Sequence, residues 1–317
     1  MFTLSKTCTD LTYESNAYKL LGSQLVDYGS RILLISSQDP KDQFSIKLIK
    51  DQLTKAKLTY IESSQKEFFV NKESFIKLQE RAETFSVQLV LSVGDFPQIM
   101  SGRYISQSLN LNCFEILLTP YIPYLFIPKS LYATRVGNDF GTINISPERV
   151  TSILIDPTIL RKFEELEIII ITLSMLFDIA QIFLDPENNI ISITESRNLF
   201  ERILVNLENN IFRIDDLIEK SLTASLYHGA STNTELELTL FSLLAGQRFN
   251  IDYKYIKVKL LPWLLLEQNE NLSIRVREYM DRHNLPFRLA EFSISKQQLL
   301  EICPDNIKIS KIINTAY

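Results

Sequence analysis

The sequence predicts a parallel α/β domain over residues 1–156, followed by an all-helical domain over residues 157–317. Three observations carry this prediction. The chain has 317 residues and 45% hydrophobic content, enough to bury a sizeable core across about two domains. Short apolar runs alternate with helical spacings before Asp156-Pro157, as in a sheet covered by helices on both faces. After Asp156-Pro157, long helical periodicities dominate the sequence.

In the first half, the clearest strand is Arg31–Ser37, an apolar run preceded by Gly29 and followed by Asp39-Pro40. A helix with an apolar stripe at a helical spacing follows it. Further strands are predicted at 58–61, 88–93, 124–127 and 153–155, and helices at 41–57, 72–86 and 96–109.

The second half is predicted to be helical at 159–184, 197–207, 215–227, 235–246, 253–267 and 273–283. Asp215 and Asp216 suit the negative charge that a helix N-terminus favours. Ser295 and Gln298 have the spacing of a capping box. His228-Gly229 is interpreted as a helix C-terminal cap, with Gly229 in the left-handed conformation.

Composition excludes several classes of function. Lys+Arg residues number 33 against 38 Asp+Glu, and without a basic run this argues against nucleic-acid binding. With only 8 glycines and 2 histidines, the chain has little material for a glycine-lined phosphate cradle or a histidine-rich metal site. The apolar run at 168–184 is too short, and too polar at Asp178 and Gln181, to span a bilayer, so we expect a core helix and no membrane partner.

The cysteines and the N-terminus bear on the compartment. Cys8, Cys113 and Cys303 form no CxxC pair, which favours free thiols in a reducing cytosol. No secretory signal is visible at the N-terminus. We therefore expect a cytoplasmic protein.

Several motifs resemble 3-dehydroquinate synthase, in the order of that family. The run 88–94 resembles its strand into the nucleotide-binding turn, 127–133 its Pro-Thr-Thr-Leu-Leu-Ala segment, and 153–160 its Ile-Asp-Pro turn. Glycerol dehydrogenase and iron-type alcohol dehydrogenases belong to the same superfamily. The resemblance implies a Rossmann-like N-terminal domain, an all-α C-terminal domain, NAD, a divalent metal and commonly a dimer.

The nucleotide turn departs from the pattern of that family. Such enzymes hold the NAD pyrophosphate on a Gly-Gly-Gly turn, whereas this chain has Gly94, Asp95, Phe96 and Pro97. The carboxylate repels a diphosphate, the phenylalanine adds bulk, and the proline has no N–H donor. We therefore interpret Gly94, Asp95 and Ser130 as remnants of a cofactor site and expect no bound NAD.

The metal ligands implied by the resemblance are also altered. Ser242, Gly246 and Asn250 stand where the family has histidines. The family carboxylate falls near 174–177, and a small change of register would bring Asp178 to it. One carboxylate with such partners does not hold a zinc ion, so no metal is expected.

Substrate contacts differ in the same way. Asp139 stands where the family has a lysine in its Gly-Gly-Lys-Thr-Gly segment. Lys129 and Arg135 lie close by in sequence, and either could bind an anion or simply be a solvated surface charge.

Two hypotheses for function follow. The first is a diverged, non-catalytic member of this fold with a binding, assembly or regulatory role, either as a homodimer or with a protein partner. The second is an active enzyme, a synthase-like lyase or NAD-dependent dehydrogenase with unusual site residues. The residues to follow between the predicted domains are Asp95, Lys129, Ser130, Asp139, Asp178 and Asn250.

Overall fold

The computed structural model describes residues 10–65, 72–122, 125–126, 129–133, 140–144, 150–160, 163–211, 213–230, 237–266, 268–302 and 306–317. The chain divides into two compact units. The first contains the described residues of 1–122 and 128–162, and the second those of 123–127 and 163–317. The boundary after residue 156 stays a prediction.

The first unit is built on a six-stranded sheet in which every paired strand is parallel. Its strands are β1 (Asp10–Tyr13), β2 (Arg31–Ser37), β3 (Thr59–Gln65), β4 (Leu89–Gly94), β5 (Asn112–Leu117) and β8 (Val150–Ile155), in the order β1-β8-β5-β4-β2-β3. The central strand β4 is buried along its whole length. Burial on both faces explains its continuous apolar run, as in other parallel sheets.

The α-helices among the described residues of this unit are α1 (Leu21–Leu25), α2 (Gln43–Lys55), α3 (Lys72–Thr84) and α4 (Phe96–Leu109). Successive side chains of β2 point to opposite faces of the sheet. Ile32 and Leu34 therefore join a core cluster with Ile49 of α2. Leu33 joins a second cluster with Ile105 of α4. The sheet has a hydrophobic core on each face, which confirms the predicted α/β class.

Several strands differ from the sequence prediction. β1 and β5 were not predicted, and neither was the antiparallel hairpin of β6 (Lys129–Ala133) and β7 (Phe140–Asn144). The strand expected at 124–127 is wrong where the structure describes it, since residues 125–126 form a turn. β5 was missed because the charged residue Glu115 lies in its centre, buried against Arg103 of α4.

The second unit is helical, and its described residues contain no strand. Its helices are α5 (Glu165–Phe183), α6 (Ile190–Glu208), α7 (Ile214–Ala230), α8 (Glu237–Phe249), α9 (Tyr253–Leu266), α10 (Glu270–Arg282), α11 (Lys296–Leu300) and α12 (Ile307–Ala316). α5 packs against α6, α7 and α9, and most of its side chains are buried. This helix is therefore the core of the unit.

Helix ends in this unit test several predictions. The capping box of Ser295 and Gln298 and the first-turn position of Asp215 and Asp216 are confirmed. The cap predicted at His228-Gly229 is wrong, because α7 continues to Ala230. α5 begins at Glu165, later than expected. α6 begins at Ile190, earlier than expected, because the side chain of Asn189 accepts a hydrogen bond from the Ser192 N–H.

By length and composition alone, α5 could cross a membrane. In the fold, however, 72% of its most apolar 18-residue stretch is buried. Apolar side chains all round a helix are also what a central core helix requires, so α5 matches the predicted core helix.

Candidate functional site

The turn after β4 is the first candidate site, and it lies wholly within the α/β unit. Gly94 ends β4, Asp95 is the N-cap residue, and α4 begins at Phe96. Gly94 has φ +153°, a conformation that residues with a side chain rarely adopt. A Cβ atom at Gly94 would lie 2.7 Å from Oε1 of Gln98. The backbone conformation favours glycine here, and the side chain of Gln98 lies against it.

The N–H groups of this turn are bonded within the chain. Asp95 N–H donates to Gln98 Oε1 at 3.1 Å, and Phe96 N–H donates to Asp95 Oδ1 at 2.7 Å. The Gln98 N–H bonds to the Asp95 side chain, which completes a capping box. Pro97 has no N–H at all. The donors with which such turns hold phosphate groups therefore already have partners.

The charge of Asp95 acts in the same direction, whereas the bulk expected from Phe96 is directed into the core. The Asp95 carboxylate lies at the positive end of the α4 dipole, the position that a phosphate takes in nucleotide-binding folds. Phe96 is fully buried, so its ring packs into the core. Pro97 lies in the first turn of α4, where its missing N–H costs no helical hydrogen bond. The residues of this turn do not fit the pyrophosphate of NAD.

The remaining residues expected near the cofactor are placed only in part. Lys129 and Ser130 lie on β6, and β6 packs against α4. The structure thus brings the strand of Ser130 beside the helix that follows Asp95. The side chains of Lys129 and Ser130, as well as Arg135 and Asp139, lie outside the described residues.

The second candidate site is a buried ion pair in the helical unit. Asp178 of α5 accepts hydrogen bonds from Lys257 Nζ of α9 at 2.8 Å on Oδ1 and 2.7 Å on Oδ2. The Thr239 hydroxyl of α8 donates to Asp178 Oδ1 at 2.8 Å. The side chains of both charged residues have 0% exposure. Gln181, one turn after Asp178, donates to the same carboxylate at 3.3 Å.

The three residues that the resemblance places at histidine positions make structural contacts. The Ser242 hydroxyl donates to the Leu238 carbonyl at 2.8 Å, within α8. Gly246 permits close packing, because a Cβ there would lie 2.7 Å from the Ile251 carbonyl oxygen. Asn250 is exposed and adopts φ 56° just after α8, as a helix-ending residue does.

These residues do not fit a divalent metal. Both Asp178 oxygens are bonded to an ammonium group, and zinc needs three or four N, S or O ligands in a set geometry. Within the part of the chain that the structure describes, no group of three or more His, Cys, Asp or Glu side chains could hold a metal ion.

Sequence reasoning found Asp178 but missed Lys257 and Thr239. A usable signal was present: Lys254, Lys257 and Lys259 interrupt the otherwise apolar sequence of α9. All three lysines are buried, and buried lysines are rare unless they are paired. Their spacing alone could not identify Asp178 as the partner.

The cysteine prediction is tested at one position. Cys113 is a buried free thiol, and burial and the nearby Glu115 charge raise its pKa. Its ionised, nucleophilic form is therefore suppressed. Cys8 and Cys303 lie outside the described residues.

Comparisons with known proteins give the fold. No protein-family profile and no curated sequence matches the chain. NADH-dependent butanol dehydrogenase A from Thermotoga maritima matches with a TM-score of 0.80 at 11% identity, over 99% of this chain and 98% of that one. A putative alcohol dehydrogenase from Ralstonia eutropha has a TM-score of 0.76 at 13% identity, with coverage of 100% and 97%. A 1,3-propanediol oxidoreductase has a TM-score of 0.76 at 11% identity, with coverage of 97% and 98%.

The predicted fold class is thereby confirmed. The chain has the fold of these dehydrogenases, which is also the fold of an iron-containing alcohol dehydrogenase. Fold alone does not fix function; the chemistry of the two sites decides it.

Proposed function

We propose that this chain is a diverged, non-catalytic protein on the alcohol dehydrogenase fold, with a role in binding, assembly or regulation. The capping box at the start of α4 carries the proposal. Its bonds use the N–H groups of Asp95, Phe96 and Gln98, which in a nucleotide-binding turn are free for a phosphate. A hydride-transferring enzyme of this fold without its nicotinamide cofactor has no hydride acceptor or donor.

The altered metal position supports the same proposal. Asp178 is held by Lys257 and Thr239, and Ser242 and Gly246 serve helix structure and packing. A dehydrogenase of this fold needs a nucleotide-binding turn and a metal site. In this chain the residues proposed for the turn, in the first unit, and for the metal site, in the second, are engaged in internal contacts. A coordinated loss of this kind is simplest to explain if the fold has been kept for a purpose other than catalysis.

We further propose that the protein is cytoplasmic and acts as a homodimer or with a protein partner. The burial of α5 within the helical unit and the free thiol at Cys113 support a soluble protein in a reducing compartment. The excess of acidic over basic residues argues against nucleic acid as the partner.

An active NAD-dependent dehydrogenase with unusual site residues is the alternative. Its support is the full-length likeness to dehydrogenases and the retention of Gly94 at the end of β4. In that case the Asp95–Gln98 capping box has to open when the cofactor binds, and chemistry has to proceed without a histidine-bound metal.

Activity measurements separate the two candidates. The purified protein is assayed for NAD-dependent oxidation of short alcohols, diols and glycerol, and for the reverse reaction, with and without added divalent metals. A known 1,3-propanediol oxidoreductase serves as the positive control. We expect the protein to give no more turnover than buffer alone. Turnover that depends on intact protein would show that the chain is an active enzyme.

A further inference from the structure

The helical unit contains a carboxylate and an ammonium group that are both withdrawn from solvent. Asp178 and Lys257 have 0% side-chain exposure and lie 2.7 Å apart. Desolvating one charge is expensive, and a buried pair persists only where close geometry and further hydrogen bonds compensate. Here the Thr239 hydroxyl provides one such bond to the carboxylate.

The cluster joins three helices. Asp178 belongs to α5, Thr239 to α8 and Lys257 to α9, and α9 packs against both of the others. The family resemblance places the metal-binding carboxylate within one turn of Asp178 and further ligands on α8. The ammonium group therefore lies in the region where a divalent ion is implied.

We propose that Lys257 is the resident cation of this position: its ammonium group neutralises Asp178 and links α5, α8 and α9, so that the unit needs no divalent metal. This inference goes beyond the proposed function, because it concerns how the helical unit is held together.

The chemistry of the ammonium group supports this role. Lysine offers three N–H donors and no acceptor, and two of its contacts are with the two oxygens of Asp178. Nζ also lies 5.3 Å from the centre of the Tyr253 ring, within cation–π range. A metal ion within about 2.2 Å of those oxygens would have to displace the ammonium group. A cation that is covalently part of the chain cannot be removed by a chelator.

A set of charge variants tests the proposal through thermal stability. Lys257→Met keeps the unbranched stem but removes the positive charge that faces the buried Asp178 carboxylate. We expect it to lower Tm by roughly 10 °C, or to prevent folding, as when one partner of a buried pair is removed. Asp178→Asn together with Lys257→Met removes both charges at similar volume, and we expect it to fold and to recover at least half of that loss.

Lys220→Met is the matched control. Lys220 pairs with Asp216 at 2.6 Å, but the side chains are 16% and 38% exposed. Because partly exposed pairs contribute little, its Tm is expected to change by less than about 3 °C.

Metal content is measured on the unmodified protein. We expect no stoichiometric divalent metal after purification, and the same Tm with and without a chelator. Stoichiometric metal whose removal lowers Tm would overturn the proposal. So would a Lys257→Met variant as stable as the unmodified protein, or a double variant that is no more stable than Lys257→Met or fails to fold. None of these readouts depends on NAD or turnover, so they leave the proposed function to its own test.

Discussion

At the scale of single residues, Asp156 shows how one carboxylate organises the end of a strand. It is fully buried after β8 and accepts hydrogen bonds from the N–H groups of Asn16 and Tyr18, at 3.0 and 3.1 Å. It also accepts from the N–H and the hydroxyl of Thr158, at 2.9 and 2.7 Å. Asp156 thus ties the segment after β1 to the end of β8.

We therefore predict that Asp156→Ala lowers the free energy of unfolding by about 3–5 kcal/mol, because several partly buried donors lose a charged acceptor. Asp185→Ala is the control. Asp185 also precedes a proline, but the hydrogen bond described for its carboxylate comes from the nearby Glu187 N–H, so a loss of about 0.5 kcal/mol is expected. Urea denaturation measures both variants, and equal losses would contradict this role for Asp156.

The sequence could predict a turn at Asp156-Pro157 but not the importance of its carboxylate. Asp39-Pro40 and Asp185-Pro186 have the same two residues. What distinguishes Asp156 is its contact with residues about 140 positions earlier, and no local pattern contains that information.

A pH dependence follows from Glu62 on the edge strand β3. Burial acts to raise the pKa of its carboxyl group, but hydrogen bonds from Lys50 and Ser36 outweigh that effect and hold the pKa below its ordinary value of 4.5. A carboxyl group with a lowered folded-state pKa stabilises the protein above its ordinary pKa. That contribution is lost as the pH falls through the folded-state value.

We predict that Glu62→Gln flattens the decrease in stability between about pH 5 and pH 3. The measurement is the urea midpoint as a function of pH, with Glu80→Gln, an exposed carboxylate on α3, as the control. If the Glu62→Gln profile keeps the slope of the unmodified protein, the ion pair with Lys50 does not contribute as described.

At the scale of elements, local sequence patterns predicted the helices and strands that have a clear apolar run or a clear start signal. β2 and α4 have the predicted bounds because each sequence contains a clear apolar run or a clear start signal. β5 was missed because the buried Arg103–Glu115 pair, with bonds of 2.6 and 2.8 Å, places a charge inside a core strand. Long-range pairing of that kind overrides the local signal.

The start of α4 gives a prediction at this scale. Asp95→Ala removes the N-cap side chain, and we expect a loss of about 1–2 kcal/mol in the free energy of unfolding. Ser295→Ala, in the capping box of α11, is the comparison and should lose about 1 kcal/mol or less. If Asp95→Ala leaves the free energy of unfolding unchanged, the carboxylate is not needed to cap α4.

At the scale of the whole molecule, the fold class could be predicted from the order of strand and helix signals. The two candidate sites could be predicted only in part. The sequence identified Gly94, Asp95 and Asp178, but not the partners that engage them. Gln98 lies three residues after Asp95, at the spacing of a capping box, so this contact is local. Lys257 is 79 residues from Asp178 in the sequence, and their contact depends on the tertiary arrangement.

Assembly gives a further prediction at this scale. If the chain acts as a homodimer, sedimentation equilibrium of the purified protein should give twice the chain mass of 36.7 kDa. A species of one chain mass at all concentrations would exclude the homodimer and leave a different protein as the partner.

The central claim is that the turn after β4 no longer accepts a nicotinamide dinucleotide. Isothermal titration calorimetry of the unmodified protein with NAD and NADH, up to millimolar concentration, tests it most directly. We predict no heat beyond dilution, since the N–H groups of the turn are engaged by Asp95 and Gln98. Saturable binding with a micromolar Kd and one site per chain would contradict the account.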